Sequence, residues 1–155
     1  MSVSEFMFTD PGHLAVRKGT IDLETPGNAI VAFLVLNAHS ASLVNDNIYS
    51  DISGNLGTGF AALFPNGDTV DSLAWSAVST REIKLDAADL DFGDTVSLTG
   101  RYIYLVHRAT GTIAPGDLIV GYVDLTEAAS DVSSTNGNFD LAWAATGLYV
   151  ETLTP

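Results

Sequence analysis

The chain has no cysteine and only six lysines or arginines among its 155 residues. Without cysteine there is neither a disulfide framework nor a thiolate metal site, so the fold has to rest on its apolar core. With 46% hydrophobic residues that core is available. A chain of this length makes one domain. Against the few basic residues stand 19 acidic ones, a net charge of -13. Such a surface repels phosphate backbones, which argues against a nucleic-acid partner and favours solubility. Long apolar runs are missing too. The longest, Ala29 to Leu36, suits a strand and falls well short of a membrane span. Met1 to Glu5 carries no basic start or long apolar stretch of a signal peptide, so export by that route is not expected.

Catalytic signatures are equally scarce. There is no Gly-x-Ser-x-Gly turn for a nucleophilic serine and no glycine-rich phosphate loop leading into a helix. His13, His39 and His107 are far apart and show no metal-ligand spacing. The densest acidic stretch, Asp86 to Asp94, departs from the alternating ligand pattern of a calcium loop. Acidic turns between strands commonly cap backbone N–H groups instead. The expectation is a non-enzymatic protein with no cofactor and no metal.

What the chain does have is period-two alternation. In Asn138 to Ala145, Phe139, Leu141 and Trp143 fall on one face, and Asn138 and Asp140 on the other, as in a half-buried antiparallel strand. Ile21 and Leu23 share a face of Thr20 to Glu24, and Ile83 and Leu85 repeat the pattern. Leu73, Trp75 and Ala77 alternate likewise, followed by Val96 and Leu98. Ile30 to Leu36, Tyr102 to Val106 and Leu118 to Val123 are apolar on both faces, the mark of central strands. Turn signals fall at Thr25 to Asn28, Pro65 to Asp68, Ala114 to Asp117 and Asn136-Gly137. The pattern predicts an all-β fold, an antiparallel β-sandwich or jelly-roll-like barrel, with a short N-terminal arm and one long loop over 38–69. Phe139, Leu141, Trp143, Ile21, Leu23 and Ile83 are the expected core set.

Residues 1–12 read as the arm and 13–155 as the domain. Phe6, Met7 and Phe8 lie beside a chain end, ahead of Asp10-Pro11-Gly12, which reads as a turn. Apolar residues there need a receiving surface. They are either a first strand of the domain's own sheet or a partner-binding arm. The strands apolar on both faces pose the same question. Their second face is covered by another subunit or by the 38–69 loop folded over the sheet. Trp75, Trp143, Tyr102 and Tyr104 could form a sugar platform, which keeps a carbohydrate-binding module as an alternative. Trp143, in phase with Phe139 and Leu141, reads as core.

The order of several segments resembles small all-β virion proteins of tailed bacteriophages, of the capsid cement or decoration kind. The segments are Gly19 to Thr25 leading into Ile30 to Leu36, then Leu85 to Phe92, Gly100 to Leu105, Asp117 to Asp124 and Ser134 to Trp143. Loop 38–69 and the first dozen residues lie outside the likeness. The resemblance implies a non-enzymatic virion component assembled in the host cytoplasm. It would bind the outer surface of an icosahedral head, clamp neighbouring copies of the major capsid protein and associate with itself as a homotrimer. A tail or neck structural protein is the alternative within the virion.

Overall fold

A computed structural model describes residues 5–24, 29–126 and 128–152. Among them the chain is mostly antiparallel strand with three short helices, a sandwich-like all-β fold. In chain order the elements are β1 (Met7–Phe8), α1 (Asp10–Arg17), β2 (Ala29–Val35), α2 (Tyr49–Ile52) and α3 (Phe60–Leu63). Then come β3 (Asp68–Thr69), β4 (Ala74–Ser79), β5 (Glu82–Asp86), β6 (Leu90–Asp91), β7 (Val96–Gly100) and β8 (Tyr102–Arg108). The last are β9 (Leu118–Asp124), β10 (Val132–Gly137), β11 (Asp140–Leu141) and β12 (Tyr149–Thr152).

The centre is a five-stranded sheet in the order β1-β9-β8-β2-β3, accompanied by a three-stranded sheet β12-β5-β4 and two ribbons, β10-β7 and β11-β6. The three strands expected to be central are β2, β8 and β9, and they are adjacent. The register sets Phe33 opposite Tyr104, and Tyr104 opposite Tyr122. These rings therefore share one face, while Leu34, Ile103 and Val123 share the other. Both faces are buried: Phe33, Leu34, Ile103 and Tyr104 are all closed to solvent.

The cover over the aromatic face is the chain itself. The 38–69 segment, expected to be a loop, carries α2, a single 3₁₀ turn (Ser53–Asn55) and α3. It is bonded to the sheet through bridges from Ile48 to Leu118, Leu56 to Val35 and Thr58 to Thr99. Ile52 and Phe60 anchor it as fully buried core residues. Of the two covers left open by the sequence, the structure shows the internal one.

Residues 6–12 likewise pack on the central sheet. β1 pairs with β9, Met7 opposite Tyr122 and Phe8 opposite Gly121. Phe6 is buried, and its N–H donates to the Leu148 carbonyl. A side chain at Gly121 would strike the Phe6 ring and the Met7 carbonyl, so this glycine allows the segment to lie flat on β9. Asp10-Pro11-Gly12 is not a turn. Thr9 caps α1, its Oγ1 accepting from the Gly12 N–H at 3.2 Å and donating to the Ile119 carbonyl at 2.7 Å. Pro11 occupies the first helical turn, where its missing N–H costs nothing. Gly12 presses against β9, where a Cβ would lie 2.2 Å from the Val120 oxygen.

Other expectations need correction. Residues 20–24 form no strand, although Ile21 and Leu23 are buried as their alternation requires. The strand expected over 138–145 shrinks to Asp140–Leu141. Asn136-Gly137 makes no hairpin; Asn136 takes φ 48° and the register of β10 on β7 shifts between Ser134 and Gly137. This bulge throws Phe139 off the β7 ladder onto the Gly93 carbonyl. Beyond Leu141, the Trp143 N–H leaves the ladder for the Asp89 carboxylate at 2.9 Å. Trp143 and Ile83 are half-buried rather than core, whereas Phe139 and Leu141 are buried. The turn read at 25–28 lies outside the described residues.

Candidate functional site

Three clusters of polar and aromatic side chains stand out, and they differ in what they leave open. The first is buried under the 38–69 segment. Asp46, almost closed to solvent, accepts three hydrogen bonds on Oδ2. The Tyr104 hydroxyl donates at 2.6 Å, the Ser42 N–H at 2.8 Å, and His39 Nε2 lies at 3.0 Å. Tyr104 stacks on Tyr122, and His39 meets it edge-on. Burial pushes the Tyr104 hydroxyl far above the ordinary tyrosine range, and the neighbouring Asp46 carboxylate adds to the shift. Tyr102 and Tyr122 are raised too, again first by burial. The cluster works as a latch: one carboxylate joins the 38–69 segment to β8. Tyr102 and Tyr104 are therefore not a surface platform.

The second cluster is the Asp86 to Asp94 stretch. Lys84 Nζ binds Asp86 at 2.8 Å, and this bond holds the Asp86 carboxyl below its ordinary range. Asp89 caps the Trp143 N–H, and Asp91 accepts the Gly93 N–H at 2.8 Å. Three of the acidic groups are thus turned to turn-capping and pairing. Among the described residues no group of three or more histidine, aspartate or glutamate side chains is placed to hold a metal ion.

The third is an open groove between α1 and the β12-β5-β4 sheet. Its cavity of about 270 Å³ is lined by Phe8, His13, Val16, Arg17, Trp75, Ile83 and Glu151. The helical spacing of His13, Val16 and Arg17 turns these three toward the sheet. Register sets Ile83 opposite both Ala77 and Glu151 on one face of that sheet, the face shared by Trp75. Phe8 stacks on the His13 ring at 5.3 Å and meets Tyr149 edge-on at 5.0 Å; Tyr149 in turn backs Trp75. Arg17 bridges the sides, pairing with Glu151 and donating from Nε to His13 Nε2 at 3.2 Å.

Of the three residues expected to bind a partner, Phe6 is enclosed by its own domain. Met7 and Phe8 are half-buried, and Phe8 lines the groove. The sequence reading did not single out Arg17 with Glu151, which are 134 positions apart. No residue pattern links them; only the docking of α1 on β9 and the pairing of β12 with β5 bring them together. Compared with protein-family models, curated proteins and solved structures, the chain matches none.

Proposed function

We propose that the protein is a non-enzymatic structural component of a phage virion, a decoration protein that sits on the outer surface of the head and clamps neighbouring major capsid subunits. One observation carries the reading. The segments that resemble cement proteins include β2, β8 and β9, and this ladder is buried on both faces by its own chain. A clamp needs such a rigid body, because side chains already ordered lose no further entropy on docking. The buried carboxylates Asp46 and Asp117 support it as well. Both hold loops, Asp117 by accepting the Ala114 N–H at 2.8 Å. An acidic exterior, at a net charge of -13, suits a particle that must not adhere to nucleic acid or to other particles.

The homotrimer and the major capsid protein as partner belong to the same proposal and rest on the resemblance. The sheet face that would have asked for a second subunit is filled internally. Quantitative mass spectrometry of purified particles is the test. Hundreds of copies per particle, with the protein on the head exterior in an electron cryomicroscopy map, are expected. A few copies would place it in the tail or neck, and no copies would overturn the reading. Sedimentation of the purified protein checks the trimer.

A further inference from the structure

We propose that the groove between α1 and the β12-β5-β4 sheet is a binding site for a single neutral sugar ring, such as the terminal residue of a glycan. The proposal is independent of where the protein sits in a particle.

Four features of the groove define the ligand. Its walls include the rings of Trp75, Phe8 and His13, the last two stacked on each other, beside the aliphatic Val16 and Ile83. An aromatic face is electron-rich and attracts the weakly positive C–H edges of a saturated ring. Beside the His13 imidazole, its charged groups are one guanidinium and one carboxylate, already paired with each other. Together they carry no net charge, so neither an anion nor a cation is selected. Arg17 has five N–H donors and spends two on His13 and Glu151, while the second Glu151 oxygen accepts no bond among the described residues. Donor and acceptor side by side match the paired hydroxyls of a sugar. Finally, the cavity of about 270 Å³ lies just below the roughly 300–1,000 Å³ of drug-sized pockets and has room for one ring.

Other ligand classes fit less well. A fatty chain would leave the ion pair facing apolar surface. A zwitterionic amino acid would have to separate Arg17 from Glu151, exchanging one ion pair for two new contacts. A sugar leaves the pair intact and adds hydrogen bonds to it.

The test is ligand-observed saturation-transfer NMR on the full chain. The probes are the methyl glycosides of glucose, galactose, mannose and N-acetylglucosamine, with L-phenylalanine as the zwitterionic comparison. At least one glycoside is expected to receive saturation on its ring C–H protons, with a Kd on the order of millimolar. Trp75→Ala should weaken that binding about tenfold, and Glu151→Gln several-fold, whereas Trp143→Phe should leave it unchanged. Far-UV circular dichroism verifies the fold of each variant. Should Trp75→Ala not fold, His13→Ala on the helix side of the groove takes its place with the same expected loss. The proposal is overturned by no transfer to any glycoside, by transfer to L-phenylalanine alone, or by glycoside binding that survives both groove substitutions.

Discussion

The aromatic face of the central sheet and the groove over the β12-β5-β4 sheet are built from the same kinds of residue and end in opposite states. Each gathers aromatic rings, a histidine and a carboxylate. Under the 38–69 segment, Asp46 takes three hydrogen bonds and Tyr104 has no exposure at all. In the groove, the Arg17 side chain is 57% exposed and that of Glu151 19%, and one Glu151 oxygen accepts no bond among the described residues. The difference lies in what covers each surface. The excursion over 38–69 folds over one, whereas one short helix stands beside the other. Satisfied and buried polar groups rigidify a core; half-open aromatic and polar groups are what a binding site needs. The comparison therefore separates scaffold from surface within one small domain.

It breaks first at the chain's beginning. If residues 5–8 belong to the scaffold, Phe6→Ala should cost about 3–5 kcal/mol, since the ring is buried and its removal leaves a cavity against Gly121. Met7→Ala, at a half-buried position, should cost clearly less. Denaturant unfolding of both variants measures this. A Phe6→Ala protein as stable as the parent would return the segment to a free arm that waits for a partner.

The latch comes next. Asp46→Ala strands the Tyr104 hydroxyl and the Ser42 N–H without an acceptor, and each buried unsatisfied group costs about 1–3 kcal/mol. Hydrogen exchange should quicken across 38–56 while amides of β8 and β9 stay protected. Uniform acceleration through the whole sheet would mean that the segment is no separable cover.

How much of this was legible in the sequence depends on whether the information was local. Ile30 to Leu36, Tyr102 to Val106 and Leu118 to Val123 announced themselves because a strand buried on both faces must be apolar throughout, whatever lies around it. β2, β8 and β9 follow those runs closely. Phe139 and Leu141 kept the faces that alternation assigned, and so did Ile21 and Leu23, yet neither stretch kept its full ladder. Alternation reports burial phase; pairing also needs a free neighbour, and the bulge at Asn136-Gly137 removed it. Pro11 misled in another way, since proline marks a turn and a helix start equally well, and only the Thr9 cap decides between them. The groove was not legible at all. Trp75 was visible as an aromatic, but Arg17 and Glu151 meet through two separate packing events.

Alkaline titration tests the buried face without mutation. Tyr102, Tyr104 and Tyr122 all have hydroxyls raised in the folded state. A raised folded value means that their contribution to stability is complete below the unfolded value of about 10 and is lost as pH climbs above it toward the folded one. Each such tyrosine then removes up to about 1.4 kcal/mol per pH unit. Absorbance at 295 nm should show these hydroxyls ionising only together with loss of the far-UV circular dichroism signal. Their ionisation ahead of unfolding would show that water already reaches the face beneath the latch.

The smallest effect is expected in the groove, and it sharpens the contrast most. Glu151→Gln removes the Arg17 partner. The pair is open on the Arg17 side, and such solvent-reached ion pairs contribute about 0.2–1 kcal/mol because water screens them and two long side chains lose freedom in holding them. The loss should therefore stay below about 1 kcal/mol and shrink further as salt is added. Set beside the Asp46→Ala cost, it would show that a carboxylate is structural in one aromatic cluster and dispensable for folding in the other. If Glu151→Gln instead destabilises the protein as much as Asp46→Ala, the groove is a second latch. Its ion pair would then be holding α1 to the sheet rather than waiting beside an open site.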